Sequence, residues 1–160
     1  MTTITPQDHL HEQHIVEIST ADAPIALLLL ADPSEQKVRD SLKGSKCFVY
    51  EQSGAVIGAC VVQPLGFGTY ELMSIAVLPE HQKNGIGTAL LKSVICTLRQ
   101  AGVAKLEVGT GTFGYQLAFY QRQGFRVTSI EKDFFINNYK EPVFDSGLQL
   151  FDMLRLTLKL

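Results

Sequence analysis

The sequence has little of what marks secreted, membrane-spanning or nucleic-acid-binding proteins. Its cysteines are only three, odd in number and scattered, which indicates reduced thiols rather than a disulfide framework. The longest apolar run, residues 25–31, is far shorter than the roughly 20 residues that span a bilayer. The first fourteen residues hold no basic start and no apolar stretch, so we expect no secretory signal. These absences favour a cytoplasmic protein.

Charge and length narrow the possibilities further. The net charge of -2 gives no electrostatic reason to expect nucleic acid or an anionic membrane as a partner. The 160 residues, 46% of them hydrophobic, suit one domain around one core. We find no repeat and no linker that would divide the chain. We therefore expect a single domain over 1–160, in which 1–13 form a flexible N-terminal segment.

The apolar pattern predicts strands and helices in the order β-αα-βββ-α-β-α-ββ. The unit of strand 69–77, helix 86–100 and strand 105–108 is a right-handed crossover, which requires two parallel strands. The other elements are a first strand in "HIVEIST", two short helices within 21–44, a hairpin of 47–51 with 55–63, a helix in "YQLAFYQRQG", a strand in "FRVTSI", an aromatic loop in "KDFFINNYKEPVF" and a final strand in "LQLFDMLRLTLKL". This order predicts a mixed α/β fold. Its sheet is mostly antiparallel, with six to seven strands, helices on both faces and a central parallel β-α-β crossover.

The segment "QKNGIGT", residues 82–88, lies between the predicted strand 69–77 and a strongly apolar helix. Backbone N–H groups in the first turn of a helix have no internal partner, and the helix dipole favours an anion there. Gly85 and Gly87 let a large group approach without meeting a Cβ, and Lys83 adds charge at the rim. The loop therefore resembles a pyrophosphate site. A helix-start turn without a ligand is the alternative.

Two of the three common anion-binding loops do not fit this segment. A Walker A sequence is absent, and a dinucleotide fingerprint would need a glycine where the chain has Leu90. The third pattern, Q-x-x-G-x-G after a strand that ends in V-x-P, is met by Gln82, Gly85 and Gly87 after "IAVLP".

With "LAFYQRQGF" about thirty residues later, "MSIAVLPEHQKNGIGTALL" resembles the GNAT superfamily of acetyl-CoA-dependent N-acetyltransferases. The resemblance covers roughly 45–130 and implies acetyl-CoA as cosubstrate and no metal. It implies that the strand binds the pantetheine arm and acetyl carbonyl, and that the loop amides hold pantetheine and pyrophosphate. The residues concerned are Ile75, Ala76, Val77, Gln82, Lys83, Asn84, Gly85, Ile86, Gly87 and Thr88. One position departs from the family: many members carry an Asn where this chain has "GTGTFGYQ", which leaves Thr110 or Thr112 as the substitute.

The resemblance also implies catalytic residues. Acetyl transfer to an amine needs a base, because an alkyl ammonium has a pKa of ~10.4. The family often places a carboxylate base where this chain has Glu71, and Glu107 on the neighbouring strand is the second candidate. Tyr120 corresponds to the acid that protonates the leaving thiolate, and a backbone N–H near Ala76–Val77 stabilises the oxyanion. The alternatives are a solvated Glu71 and a Tyr120 that only packs in the core.

The leading hypothesis is a transferase that acetylates a primary amine of a small molecule. The alternatives are a peptide or protein N-acetyltransferase and a non-catalytic acyl-CoA-binding domain. Phe134, Phe135 and Tyr139 either line the acceptor pocket or only cover the sheet. A homodimer through the C-terminal strand is a further expectation.

Two other features suggest sites that we do not expect to exist. His9, His11 and His14 miss the H-E-x-x-H spacing by one residue, so no metal site is expected. Cys96 falls within the apolar stripe of the helix, which favours a core position over a nucleophile.

Overall fold

The first half of the chain forms an antiparallel meander. In the computed structural model, which describes residues 13–160, four strands follow one another in the sheet and two helices connect the first strand to the second. The strands are β1 (Gln13–Ile18), β2 (Lys46–Gln52), β3 (Ala55–Gly66) and β4 (Thr69–Val77), and the helices are α1 (Ile25–Leu28) and α2 (Glu35–Leu42). The β2–β3 hairpin turns at Ser53 and Gly54, both of which have positive φ. That geometry is typical of the two-residue turns whose twist matches the strands.

The second half adds the crossover and completes the sheet. Its elements are α3 (Ile86–Gln100), β5 (Lys105–Gly111), α4 (Tyr115–Arg122), β6 (Arg126–Glu131), α5 (Phe134–Asn138), β7 (Phe144–Asp145), β8 (Leu148–Gln149) and β9 (Met153–Lys159). The seven-stranded sheet has the order β1-β2-β3-β4-β5-β9-β6, and β4 and β5 are its parallel pair. The predicted mixed, mostly antiparallel sheet with one parallel crossover is confirmed.

Helices cover both faces of this sheet and define two cores. Helices α3 and α4 bury apolar side chains on one face, among them Leu90, Leu91 and Phe119. Helices α1 and α2 cover the other face with Leu28 and Val38. We call these the α3/α4 face and the α1/α2 face.

Three expectations for the chain's details are wrong. The final strand predicted over 148–160 is two strands, β8 and β9, and the aromatic loop contains helix α5. Cys96 is exposed, because it follows the buried Ile95 by one residue and the helix turns it about 100° away from the core.

Strand β9 lies between β5 and β6, so both of its edges are paired. A homodimer stays a prediction, but the C-terminal strand offers no free edge for it.

Other expectations remain open. Within residues 13–160, no helix is long and apolar enough to cross a membrane. The segment expected to be flexible lies, except for residue 13, outside the described residues. The single-domain organisation over 1–160 and the cytoplasmic location stay predictions.

Candidate active site

A bulge in β4 opens the sheet between β4 and β5. Val62 lies opposite Leu72 and Val61 lies opposite Ser74, so Met73 is an extra residue in β4. A bulge of this kind bends its strand. The parallel pairing with β5 runs only from Thr69 to Leu72, although β4 continues to residue 77 and β5 to residue 111. The two strands therefore separate beyond Leu72. We call the space between 73–77 and 109–111 the strand gap.

The glycine loop is fixed to the end of β4 that borders the strand gap. The Gln82 side-chain amide donates to the Val77 carbonyl at 2.9 Å. Gly85 has φ 78 and ψ 7 and precedes helix α3, and no side chain caps the helix there. A left-handed residue followed by a helical one turns successive N–H groups toward a common point, which makes an anion-binding concavity. With α3's unpaired first amides, the loop is suited to a phosphate.

The protein's own backbone and packing require a glycine at position 85 but not at position 87. Gly85 needs its left-handed backbone, which L side chains rarely adopt. Gly87 has no positive φ, and a Cβ there would lie 3.7 Å from the nearest atoms of Phe119 and Val77, an ordinary contact. The protein's own packing therefore tolerates a methyl group at Gly87.

The predicted cofactor residues come together around this loop, with different exposures. Lys83 and Asn84 are exposed at the rim, and Thr88 is half-buried in the first turn of α3. Ile86 is buried in the α3/α4 core, so only its backbone can face a ligand. Ile75 and Val77 pack on the same core from the bent end of β4.

Two buried hydroxyls border the strand gap without hydrogen-bond partners. Among residues 13–160, Ser74 Oγ and Thr110 Oγ1 are the buried side-chain oxygen or nitrogen atoms that lack a partner. Ser74 lies on β4 just beyond the bulge, and Thr110 lies on β5 just beyond the last paired residue. Unsatisfied buried hydroxyls are costly, which indicates that a polar ligand completes them. Thr112 is exposed, so Thr110 is the stronger candidate for the missing Asn.

Tyr120 lies on helix α4 and is buried in the α3/α4 core. Its side chain is 4% exposed and makes edge contacts with Phe119 and Phe125, whose ring centroids lie 5.3 and 5.6 Å away. Burial, with a smaller effect from Cys60, raises the pKa of Tyr120 far above its usual value. The phenol therefore stays protonated at every physiological pH and can donate a hydrogen bond.

The two candidate bases share one arginine that the sequence reasoning missed. Arg155 on β9 donates from Nη1 to Glu71 at 2.7 Å and from Nη2 to Glu107 at 3.5 Å. The Glu71 and Arg155 side chains are each 20% exposed. Their neighbours Leu72 and Leu156 belong to the α3/α4 core, so alternation places the three charged groups on the α1/α2 face. A charged residue between Leu154 and Leu156 in a predicted strand was the available signal.

The aromatic group docks onto the connection between α1 and α2. The Tyr139 hydroxyl donates to Asp32 at 3.1 Å, and the Lys37 ammonium lies 5.1 Å from its ring centroid. Phe135 is buried and contacts both Phe134 and Tyr139. Burial, then the charge of Asp32, raises the pKa of Tyr139. The aromatic group thus connects helix α5 to the α1–α2 connection, on the α1/α2 face of the sheet.

One cavity is separate from the strand gap. This cavity, of about 460 Å³, is bordered by β2, β3, His81, the loop residue Asn84 and Ile86 at the start of α3, with no contribution from β5 or α4. His9 and His11 lie outside the described residues. Within residues 13–160, no group of three or more potential ligands is placed to hold a metal ion.

Comparisons with known proteins agree with this geometry. A family model described as the acetyltransferase (GNAT) domain matches residues 43–127. The chain is also 37% identical over 142 residues to the uncharacterized N-acetyltransferase YvbK of Bacillus subtilis (strain 168), covering 88% of this chain and 92% of YvbK. The chain belongs to the GNAT acetyltransferase family. It is therefore an acyltransferase, and acetyl-CoA is the donor that its family uses.

Two further GNAT proteins bear on the site. The crystal structure of a GNAT family acetyltransferase from Elizabethkingia anophelis with acetyl-CoA bound is 38% identical, has a TM-score of 0.88 and covers 92% of this chain and 98% of its own. The [ribosomal protein bS18]-alanine N-acetyltransferase of Escherichia coli (strain K12) is 29% identical over 129 residues, 76% of this chain and 86% of that protein.

The loop makes a testable prediction at Gly87. Gly87→Val should weaken acetyl-CoA binding strongly, because its two methyl groups beyond Cβ occupy space at the first turn of α3, where we expect the phosphate to bind. Calorimetric titration with acetyl-CoA measures the change, and circular dichroism checks that the variant is folded.

Gly87→Ala is the matched control. Its single methyl group makes only ordinary contacts, so it should bind acetyl-CoA much better than Gly87→Val. Equal affinity of a folded Gly87→Val and the unchanged protein would remove the loop from the donor site.

A second prediction concerns the unpartnered hydroxyl of Thr110. Thr110→Val keeps the shape and removes the hydroxyl, so the free energy of unfolding should stay equal or rise. Acetyl-CoA binding should weaken by about 3- to 10-fold, the value of one hydrogen bond. Urea denaturation and titration measure the two effects. Thr112→Val is the control, and an affinity loss confined to Thr112→Val would reverse the assignment.

Proposed function

We propose that this protein transfers the acetyl group of acetyl-CoA directly to a primary amine of a small molecule. The observation that carries the proposal is the strand gap with two carboxylates at its closed end. Glu71 and Glu107 are partners across β4 and β5, immediately before the strands separate. A thioester held in the gap would lie next to groups that can take a proton from an amine.

The donor would lie along the gap with its pyrophosphate at the glycine loop. We assign the phosphate contacts to the amides of residues 82–88, with Lys83 at the rim. The pantetheine arm would follow residues Ile75 to Val77, whose edge toward β5 has no strand partner. Thr110 would complete its hydrogen bond on the opposite side.

Acetyl transfer then follows from the groups around the gap. Glu71, or Glu107 beside it, accepts the ammonium proton directly or through water, and the neutral nitrogen attacks the carbonyl carbon. A backbone N–H near Ala76–Val77 stabilises the tetrahedral oxyanion. When the carbon–sulfur bond breaks, Tyr120 donates a hydrogen bond to the sulfur as it gains negative charge, and the second proton lost by the amine nitrogen, directly or through water, converts the thiolate to the free thiol. Full loss of the Tyr120 proton is costly because the residue is buried, so stabilisation of the thiolate is its main effect.

The aromatic group favours a small acceptor over a peptide. Phe134, Phe135 and Tyr139 join α5 to the α1–α2 connection through the Tyr139–Asp32 hydrogen bond. This contact bridges two segments on the face that holds Glu71. It therefore narrows the space through which an acceptor would reach Glu71. The relative that acts on a ribosomal-protein alanine supports the alternative, a peptide or protein N-acetyltransferase.

One assay separates these functions. The protein is incubated with acetyl-CoA and either a panel of small primary amines or a peptide with an N-terminal alanine, and free thiol is measured. We expect thiol release with at least one small amine and much less with the peptide. Release with the peptide alone would establish the alternative. Tight acetyl-CoA binding without release for any acceptor would indicate a non-catalytic acyl-CoA-binding domain.

The role of Tyr120 gives a further prediction. Tyr120→Phe keeps the ring contacts with Phe119 and Phe125 and removes only the donor. It should bind acetyl-CoA about as well as the unchanged protein and turn over at least ~10-fold more slowly, a conservative floor below the 10²–10⁴-fold that general acid assistance typically provides. Titration and single-turnover kinetics measure the two quantities. Full turnover of the variant when chemistry is rate-limiting would make Tyr120 a packing residue.

A further inference from the structure

Arg155 reaches Glu71 by crossing an entire strand. Arg155 lies on β9, Glu71 lies on β4, and β5 runs between these two strands. The β5 residue paired with Arg155 is Gly109. A Cβ on Gly109 would lie 3.0 Å from Arg155 Nη1 and would overlap the Met153 sulfur. The missing side chain at Gly109 therefore provides the path along which the guanidinium crosses β5.

The backbone of β5 does not explain this glycine. Gly109 has no positive φ, so its conformation is open to other residues. Glycine inside a strand weakens it and is typical of places where another group approaches closely. Here the approaching groups are the Met153 thioether and the arginine that contacts both candidate bases.

The contact leaves part of Glu71 available. Arg155 engages Oε1 of Glu71, and Oε2 has no hydrogen-bond partner among residues 13–160. A charge-assisted hydrogen bond at 2.7 Å fixes the carboxylate more firmly than the 3.5 Å contact fixes Glu107. Two carboxylates and one guanidinium leave a net charge of about -1, which attracts an ammonium.

The other charged groups on this face are known from the strand register. Glu131 on β6 adds a favourable charge interaction with Arg155. Lys105, Lys159 and Arg126 lie one or more positions farther along the same face, away from the strand gap, and all three are exposed. Arg155 is thus the cation in direct contact with the two carboxylates.

We propose that Arg155 is a positioning residue for acetyl transfer. Its side chain crosses β5 over Gly109 and holds Glu71 at the closed end of the strand gap, with one carboxylate oxygen of Glu71 free. Without Arg155, Glu71 and Glu107 face each other across β4 and β5 with no cation between them. Repulsion of two adjacent carboxylates favours protonation of one of them at higher pH. A protonated carboxyl cannot accept the proton of the ammonium.

This inference rests on the proposed acetyl transfer, so its test has two readouts. The first is the dependence of kcat/KM on pH with the amine found by the thiol assay. The second is the titration of the glutamate side-chain carboxyl carbons, followed by carbon-13 NMR and assigned with Glu71→Gln and Glu107→Gln. The NMR readout needs no turnover, so it remains decisive if no amine is acetylated.

Arg155→Met should move the acidic limb of kcat/KM and one of the two glutamate titrations upward by about 1 pH unit. The acetyl-CoA affinity should change less than about 2-fold, which equals ~0.4 kcal/mol. Arg155→Lys, which keeps the charge, should reverse most of the titration shift seen in Arg155→Met. Gly109→Ala should move the titration in the same direction as Arg155→Met, because its methyl group occupies space now held by the Met153 sulfur and the guanidinium and displaces both without changing any charge.

Arg39→Met is the matched control. It removes the same side chain from the exposed ion pair with Glu35 on α2 and should leave both readouts unchanged. If Arg155→Met lowers thermal stability but moves neither the limb nor a titration, Arg155 is a structural link between strands and the proposal is overturned. A shift of equal size in Arg39→Met would also overturn it, since net charge alone would then be the cause.

Discussion

The extra residue in β4 is the constraint on which the site depends. Because Met73 is unpaired with β3, β4 bends after Leu72 and leaves β5. A continuous parallel pair would satisfy its backbone groups within the sheet and leave no room for a ligand between the strands. The separation instead frees the edge of residues 73–77. It also leaves the hydroxyls of Ser74 and Thr110 buried and unpartnered.

In the proposed reaction, the donor and the acceptor approach the gap from different sides of one sheet. On the α3/α4 side, the end of β4 continues into the glycine loop and the first turn of α3, which favour an anion. On the α1/α2 side, Glu71 and Glu107 with Arg155 keep a net negative charge, which favours a cation. The proposed reaction thus brings a phosphate-bearing thioester and an ammonium to the same point from opposite faces, so the two ligands do not compete for one pocket.

Much of this arrangement could be predicted from the sequence because its signals are local. Strand 69–77 and helix 86–100 were predicted with their observed limits, since alternation, a loop and a helical stripe follow one another without ambiguity. The glycine loop has a defined spacing, and Gly85 adopts the left-handed backbone that favours glycine. The family assignment followed from this loop together with "LAFYQRQGF".

The remainder depends on contacts between residues far apart in the chain. The bulge at Met73 appears only when β3 and β4 are aligned. The place of β9 between β5 and β6 is a matter of topology, and its burial removes the edge on which a C-terminal dimer would depend. Arg155 and Glu71 are 84 residues apart, so no local pattern connects them. Cys96 shows the same limit within one helix, because an apolar stripe in the sequence does not determine whether a residue at its border is buried or exposed.

The central claim is that the donor occupies the strand gap, and amide hydrogen exchange tests it most directly. Exchange is measured residue by residue by NMR, with and without saturating acetyl-CoA. We predict slower exchange for the amides of residues 73–77 that point away from β3 and for those of residues 85–88. The β2–β3 turn at Ser53 and Gly54, which borders the separate cavity, should be unchanged. Protection at that turn and at His81, with none in residues 73–77, would contradict the account.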